Sequence, residues 1–133
     1  MKGYCENIEK GTLENNDFRR VLYTGKNLQL VLMTLPPGCD IGAEVHHDRD
    51  QFFRIEEGKG VIEIDGVANP VEDDFAVIVP AGARHNVINN GPEPLRLYTI
   101  YGPPEHLDGI IHATKEEAEA RHHDEEWDGK TTE

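Results

Sequence analysis

Short apolar segments separated by glycine and proline dominate the middle of the chain. All eight prolines and most of the thirteen glycines lie between Gly25 and Pro104. These residues favour turns, whereas Val, Ile, Phe and Tyr favour strands, so the pattern predicts many short antiparallel strands in a sandwich or barrel. The predicted strands are Phe18–Tyr23, Leu28–Leu35, Ile41–His46, Gln51–Glu56, Gly60–Asp65, Phe75–Val79, His85–Asn89 and Leu95–Tyr101. We expect six to eight strands in the barrel.

The end of the chain has a different pattern. Thr114–Glu117 has the Thr-x-x-Glu sequence of a capping box and predicts a short helix that runs to about His123. Residues 124–133 are acidic and polar, with Trp127 as their one apolar side chain, so we expect a loosely attached tail. The predicted parts of the chain are an N-terminal segment (1–17), a barrel (18–104) and a C-terminal helix with an acidic tail (105–133).

The charge balance excludes several classes of partner. A chain of 133 residues is long enough for one domain, and its formal net charge is −13. Such a charge repels nucleic acid and anionic membrane surfaces, and no apolar segment approaches the ~20 residues of a membrane-spanning helix. The first ten residues contain charged side chains and lack the apolar core of a secretion signal. We therefore expect a cytoplasmic protein that binds neither nucleic acid nor membranes.

Four polar side chains can meet inside such a barrel. Residues two apart on a strand share a face, so Glu44 and His46 project together. Gln51 opens the next apolar strand and can return to the same interior once the chain has turned. Much later, a turn containing proline and glycine delivers His85 at the start of another strand. Together they offer two imidazole nitrogens, a carboxylate and an amide oxygen.

This mixed donor set suits a divalent first-row metal, and the subset Glu44, His46 and His85 has the composition of a two-His-one-carboxylate triad. We therefore predict a site for Zn, Mn, Fe, Ni or Cu with positions left open for water or substrate. Two alternatives remain. Glu44 can instead pair with an arginine at the barrel rim, and Asp50 can replace Gln51 as a ligand if the turn is one residue shorter.

The same residues resemble the two motifs of the cupin family. The first motif contains a His-x-His pair, a glutamate and a glycine, and the residues at that spacing are Glu44, His46, Gln51 and Gly58. Glu44 thus takes the place of the first histidine and Gln51 that of the glutamate. The second motif contains Pro-x-Gly, a histidine and an asparagine, which correspond to Pro80, Gly82, His85 and Asn89, while Asp74 replaces its leading glycine.

The resemblance implies an all-β cupin fold, a double-stranded β-helix or jelly-roll barrel, over about residues 18–101. The chain is similar to the small single-domain bacterial cupins often labelled mannose-6-phosphate isomerase-like. Glutamine at the third ligand position also occurs in cupins that open the rings of unsaturated uronates. Such proteins usually pair through edge strands, so we expect a homodimer in which the strand around Phe18–Tyr23 covers the partner's sheet edge.

Strand alternation also predicts the walls of the pocket. With Gln51 facing inward, the side chains of Phe53 and Ile55 face the interior, as does Val87 near His85. A polar focus in an apolar interior is typical of a site for a small molecule. Polar contacts to that molecule are expected from the last strand, with Arg96, Tyr98 and Tyr101 as candidates.

Three functions are compatible with these expectations. The first is a metal-dependent enzyme that isomerises or ring-opens a small sugar or uronate, with Glu44 as the catalytic base if it is not a metal ligand. The second is a dioxygenase that brings O₂ and a small enediol or diketone to the open metal positions. The third is a non-catalytic module that binds a small molecule. Fold alone does not separate them.

Overall fold

The structure, a computed structural model, describes all 133 residues and contains ten strands and two short helices. The helices are α1 (Ile8–Glu14) and α2 (Lys115–Ala120). The strands are β1 (Arg19–Thr24), β2 (Gln29–Leu35), β3 (Glu44–Val45), β4 (Asp50–Glu57), β5 (Gly60–Ile64), β6 (Val67–Val71), β7 (Ala76–Val79), β8 (Arg84–Ile88), β9 (Leu95–Gly102) and β10 (Ile111–His112). Neither helix has the length and apolar character needed to cross a membrane.

The strands form two antiparallel sheets around one core. The six-stranded sheet has the order β10-β1-β2-β9-β4-β7, and the four-stranded sheet has the order β3-β8-β5-β6. Both sheets contribute side chains to a single buried apolar cluster. Neighbours such as β2 and β9 are far apart in sequence, as in a jelly roll. The predicted fold class, an all-β jelly-roll barrel with a short C-terminal helix, is confirmed.

Alternation along β9 shows how the barrel is filled. Leu95, Leu97, Thr99 and Tyr101 are buried, and the residues between them are half-exposed. Burial of a leucine side chain stabilises a fold by about 1.5–3 kcal/mol, so this face holds the sheets together. β4 pairs with β9 in a register that sets Gln51 opposite Tyr101. The polar side chain of Gln51 therefore enters the same interior layer.

At two turn positions, the backbone conformation explains which residue type is present. Gly58 has a φ of 110°, and a Cβ atom there would lie 2.7 Å from the carbonyl oxygen of Pro94. Only glycine fits this turn. Asp74, which replaces the leading glycine of the second motif, has a φ of 71°. Aspartate tolerates this left-handed conformation better than most residues, and here its carboxylate accepts a 3.0 Å hydrogen bond from Arg54.

The structure contains elements that the sequence pattern conceals. β6 includes Asn69 and Pro70, which are depleted in strands, but β6 is an edge strand, where a missing N–H is tolerated. β10 has two residues, and α1 begins after the capping side chain of Asn7 within the predicted N-terminal segment. These additions raise the strand count above the predicted six to eight.

Two strand predictions need correction. The predicted strand Ile41–His46 is reduced to the two residues of β3, because Gly42 has a φ of 104° and its N–H bonds to the Asn86 side chain at 2.9 Å. β1 pairs with β2 on one side and with β10 on the other. The strand expected to cover a partner's sheet edge is therefore enclosed within its own chain.

The C-terminal segment packs against the barrel rather than hanging loosely from it. The Thr114 side chain caps α2 as predicted, and Ala118 of this helix joins the core. Beyond the helix, the N–H of Trp127 donates to the carbonyl oxygen of Glu105 at 3.0 Å. The N–H of Thr132 donates to the carbonyl oxygen of Thr24 at 2.9 Å. These bonds hold the tail against Glu105 and against the end of β1.

Candidate metal centre

Three ligand-competent side chains converge at one end of the barrel. Glu44 and His85 lie directly opposite each other in the antiparallel pair of β3 and β8. His46 follows β3 and turns its ring back, so that its Nε2 lies 3.0 Å from Oε2 of Glu44. One possible ligand atom from each of the three residues lies within 4.8 Å of the others. One ion could therefore contact all three.

The amide oxygen of Gln51 also points toward this cluster. The hydroxyl of Thr99 has one proton, which it donates to the carbonyl oxygen of Phe52 at 2.8 Å. The hydroxyl therefore accepts a hydrogen bond from the Gln51 amide nitrogen, 3.0 Å away. This contact shows which end of the Gln51 amide group carries the nitrogen. The oxygen, Oε1, then lies 3.1 Å from Nε2 of His85. Gln51 thus presents a lone pair rather than a proton.

The ring of His85 is oriented in the same way. Its Nδ1 donates to the carbonyl oxygen of Ala83 at 3.2 Å, and burial lowers the pKa of the ring, which favours the neutral form. A neutral imidazole carries one proton, so Nε2 presents a lone pair to the Oε1 lone pair of Gln51. Two acceptors 3.1 Å apart with no proton between them are stabilised by a cation. The donor set and its orientation therefore fit a metal ion.

His46 is held from its other side by an acidic side chain. Its Nδ1 lies 3.4 Å from Oε2 of Glu105, and the same oxygen accepts a 2.8 Å bond from Arg49. A carboxylate on the far nitrogen fixes the tautomer and orientation of a metal-binding histidine. Burial raises the pKa of Glu105, and the positive charges of His46 and Arg49 offset that rise in part.

The charges around Glu44 keep it ionised. Burial raises the pKa of its carboxyl, but the hydrogen bond from His46 and the positive charges of His46 and Arg19 outweigh burial and bring the pKa below its usual range. For His46, burial lowers the pKa, while the bond to Glu44 and the charges of Glu44 and Glu105 raise it overall. These shifts favour a carboxylate beside a protonated imidazole in the metal-free site, and a divalent cation that binds there would replace the imidazole proton.

The apolar side chains predicted as pocket walls lie beneath the cluster. The ring centroid of Phe53 is 6.2 Å from that of His85, and Phe53 is fully buried. Ile55 and Val87 are also fully buried and belong to the core. Tyr101 is buried as well, with its ring 5.9 Å from that of His46. Burial raises the pKa of Tyr101, so its hydroxyl keeps its proton.

The other two residues proposed for the pocket lie on the outer face of β9. Arg96 donates hydrogen bonds to the carbonyl oxygen of Asn15 and, at 3.1 Å, to the side chain of Asn16. The ring of Tyr98 packs against that of Phe52, with centroids 6.2 Å apart and planes tilted by 41°. Both side chains have the parity opposite to the buried Tyr101, so the prediction that they contact substrate does not match their positions.

The alternative ligand Asp50 also points away from the cluster. It is exposed, and its carboxylate accepts a 2.8 Å hydrogen bond from the N–H of Ala81. The turn after His47 therefore has the length that brings Gln51 inward. His47 itself is exposed. Glu44, His46, Gln51 and His85 remain as the side chains that the structure brings together.

Sequence reasoning misses four residues around the site: Arg19, Arg49, Glu105 and His106. The Nε2 of His106 lies 3.3 Å from the hydroxyl of Tyr101, and burial holds the pKa of His106 well below its usual value. Arg19 is buried on β1. One signal for it exists in the sequence, because Arg19 shares the parity of the buried Val21. The others lie in loops, where alternation says nothing.

Two clefts border the cluster, one at Glu44 and the other at His46. The first, of about 210 Å³, is lined by Arg19 and Glu44 together with side chains of α2 and the residues after it. The second, of about 480 Å³, is lined by His46, Arg49 and Glu105 together with Trp127. The C-terminal segment thus forms a wall of both clefts.

Comparison with known proteins identifies relatives of the chain. The uncharacterized protein YrkC of Bacillus subtilis (strain 168) is 47% identical over 125 residues, which cover 90% of this chain and 67% of that protein. The crystal structure of BH2720 from Bacillus halodurans has a TM-score of 0.88 at 45% identity, covering 90% of this chain and 95% of that one. Mannose-1-phosphate guanylyltransferase of Escherichia coli (strain K12) is 28% identical over 76 residues, which are 57% of this chain and 16% of that protein.

The family is identified from the part of the sequence that forms the barrel. Residues 31–101 match the Cupin_2 family, described as the cupin domain. This range runs from β2 to β9 and includes every candidate metal ligand. Since the match covers more than half of the chain and agrees with the two-sheet barrel, the protein belongs to the cupin family.

Proposed function

We propose that this cupin binds one divalent first-row metal and acts on a small, oxygen-rich molecule of the sugar or uronate class. The ligands are Glu44, His46, Gln51 and His85. The observation that carries the proposal is the convergence of their donor atoms, above all the facing lone pairs of His85 Nε2 and Gln51 Oε1 at 3.1 Å. Such an ion, once bound, supplies a Lewis acid for substrate oxygen atoms.

The surrounding side chains suit an isomerisation by proton transfer. Glu44 is ionised and lines the smaller cleft. In the arrangement in which His46, Gln51 and His85 alone hold the ion, its carboxylate is the base that accepts a proton from a carbon next to a carbonyl group. Tyr101 keeps its proton, and its ring packs 5.9 Å from that of His46. Phe53 closes the interior below the site and limits the access of water. The sugar class is supported by the match to the E. coli mannose-1-phosphate guanylyltransferase.

A second candidate is a dioxygenase. The composition of the cluster favours it, since two histidines and one carboxylate with open positions are typical of non-haem Fe(II) oxygenases. A small enediol or diketone is the substrate class for this candidate. The two candidates share one metal site and differ in the metal and in the requirement for O₂.

The first experiment measures metal content. Untagged protein is purified without chelators and analysed by inductively coupled plasma mass spectrometry. We expect about one transition-metal ion per chain. A protein that contains no metal, and takes up none from Zn²⁺, Mn²⁺, Fe²⁺, Ni²⁺ or Cu²⁺ solutions, contradicts the proposed centre.

The second experiment separates the functions. Metal-loaded protein is incubated in D₂O with a panel of aldoses, ketoses and uronates, and proton NMR records deuterium at the carbon next to the carbonyl group. Metal-dependent exchange supports the isomerase. Oxygen uptake by the Fe²⁺-loaded protein with enediols or diketones supports the dioxygenase. Metal-dependent ligand binding without either reaction supports a non-catalytic binding module.

We also propose that the protein is a cytoplasmic homodimer whose contact is the outer face of the six-stranded sheet. Ile78 on this face is 68% exposed and lies opposite Phe52, which in turn lies opposite Ile100. An exposed apolar patch of this kind favours association. Light scattering is expected to give twice the mass of the chain, and Ile78→Lys is expected to give the monomer. A monomeric wild type contradicts the proposal.

A further inference from the structure

A buried guanidinium group without a partner lies beside the candidate metal centre. Arg19 is 7% exposed, and its Nε is buried without a hydrogen-bond partner. Its guanidinium carbon lies 5.4 Å from the ring centroid of Phe18, and the group takes part in no ion pair or side-chain hydrogen bond of the structure. Arg19 and Glu44 line the same cleft of about 210 Å³.

This arrangement is unfavourable for a protein that binds nothing there. Buried charges are almost always held in an ion pair, because taking an arginine out of water without one costs several kcal/mol. The ionised Glu44 lines the same cleft but forms no ion pair with Arg19. Arg19 and Val21 are two residues apart on β1 and are both buried, so the Arg19 side chain faces the interior of the barrel as that of Val21 does. The missing partner of Arg19 must therefore come from outside the chain or remain absent.

The charge that lines this cleft differs from that of the whole molecule. The chain carries a net charge of −13, which repels anions at long range. Two acidic side chains, Glu44 and Glu119, line the cleft. Glu119 pairs with Lys115 at 3.8 Å, and Glu44 belongs to the proposed metal centre, where a divalent cation would more than offset its charge. The second basic side chain of the cleft, Lys115, is already paired with Asp40 at 2.6 Å. Arg19 is thus the cation available to an anion bound there.

We propose that Arg19 binds a carboxylate group of the substrate while the oxygen atoms next to that carboxylate face the metal centre. The substrate is thereby a small organic acid, such as a uronate, rather than a neutral sugar. This inference rests on the proposed function, since it assigns the substrate class of the same site. A carboxylate matches the two parallel N–H groups of a guanidinium and carries one charge, as Arg19 does.

The size of the cleft supports a small acid. Its volume lies below the ~300–1,000 Å³ of sites for drug-sized ligands. A phosphate dianion would bring a second negative charge near Glu44, with one arginine to balance it. The structure therefore favours a carboxylate over a phosphate ester.

The experiment compares ligands that differ in one group. Isothermal titration calorimetry of the metal-loaded protein measures binding of D-glucuronate against D-glucose and of glycolate against glycolamide, with D-glucose 6-phosphate as the phosphate arm. We expect the wild type to bind at least one carboxylate about tenfold or more tightly than its neutral counterpart. The same titrations are made with Arg19→Gln and Arg19→Lys.

Arg19→Gln is expected to abolish the preference for the carboxylate while metal content stays at the wild-type level. Arg19→Lys keeps the charge without the planar fork and is expected to keep part of the preference. The matched control is Arg20→Gln, because Arg20 is the exposed neighbour on β1 and pairs with Asp17 at 3.6 Å. This control is expected to behave as the wild type.

Three results overturn the inference: a wild type without any carboxylate preference, an Arg19→Gln variant that retains it, or tighter binding of the phosphate ester. Circular dichroism checks that each variant is folded, and the wild-type comparison stands even if a variant is not. Metal analysis is read separately. A metal-free wild type contradicts the proposed function, whereas a carboxylate preference that depends on Arg19 would still support this assignment.

Discussion

Two arginines flank the candidate metal centre in opposite states. Arg49 lies beside His46, and its side chain binds Asp48 at 2.9 Å, Glu105 at 2.8 Å and the carbonyl oxygen of Pro104. Arg19 lies on the side of Glu44 and has no polar partner. Both are largely buried, with 18% of the Arg49 side chain and 7% of Arg19 exposed. Burial alone therefore does not distinguish them.

The difference separates a structural cation from an available one. Arg49 completes a chain of contacts in which it holds Glu105 and Glu105 holds His46, so its charge is already used to orient a ligand. Arg19 contributes no such contact. A polar group whose hydrogen-bonding capacity is filled by the protein belongs to the scaffold, and one whose capacity is empty can serve a ligand. Substitutions on the two sides should therefore have different consequences.

The largest effect is expected at the metal centre that both arginines flank. His85→Ala removes the buried imidazole whose tautomer is held by Ala83, and metal content should fall to background while the apolar barrel stays folded. Gln51→Ala should weaken metal binding less, because an amide oxygen is a poorer donor to a late first-row cation than imidazole. Mass spectrometry and circular dichroism provide the readouts. Stoichiometric metal in folded His85→Ala would contradict the site.

The next effect concerns the contact chain on the Arg49 side. Glu105→Gln keeps the shape of the side chain but removes the charge that faces Nδ1 of His46. Loss of such a partner typically lowers metal affinity by about 10–100-fold. Competition with a chelator of known affinity measures the change. An unchanged affinity would show that Glu105 does not orient His46.

Arg49→Gln is expected to reduce stability. The variant leaves the largely buried Glu105 carboxylate without its charged donor, at a cost of about 1–3 kcal/mol. Urea unfolding of the metal-free protein, followed by tryptophan fluorescence, measures the free energy of unfolding. A loss below about 0.5 kcal/mol would mean that the Arg49 contacts are as weak as those of an exposed ion pair.

Arg19→Met should have a smaller effect on stability than Arg49→Gln, and of opposite sign. Methionine fills a similar volume without an unpaired charge, so the free energy of unfolding of the metal-free protein should stay the same or rise by about 1 kcal/mol. The same urea experiment compares it directly with Arg49→Gln. A destabilisation as large as that of Arg49→Gln would reveal a partner for Arg19 and remove the contrast between the two sides.

The smallest effect is expected at His47. This side chain is exposed and has the strand parity opposite to His46. His47→Ala should leave metal content and stability unchanged, which makes it the histidine control for His85→Ala. Loss of metal in this variant would show that the register of the first motif is wrong.

Local periodicity explains what the sequence alone determines. Alternation places Glu44 with His46 and Gln51 with Phe53, and the turn residues Gly58 and Gly82 separate the strands that carry them. On β9, Leu95 and Leu97 share the parity of Tyr101. Arg96 and Tyr98 have the opposite parity, although they were predicted together with Tyr101 as substrate contacts. These features depend on residues close together in the chain, so the short strands and the shared face of Glu44 and His46 are predictable from local pattern. The convergence of Gln51 and His85 on that face was predicted from the turns and from the resemblance to the two cupin motifs.

Long-range packing decided the rest. Glu105 reaches His46 from 59 positions later in the chain, and Arg19 reaches the cleft of Glu44 from a strand of the other sheet. No local pattern encodes such distances, because they depend on how loops cross the barrel end and on where the C-terminal segment binds. The same packing decides whether Arg19 and Arg49 have a hydrogen-bonding partner. The tertiary structure therefore determined which charges surround the site and which of them remain available.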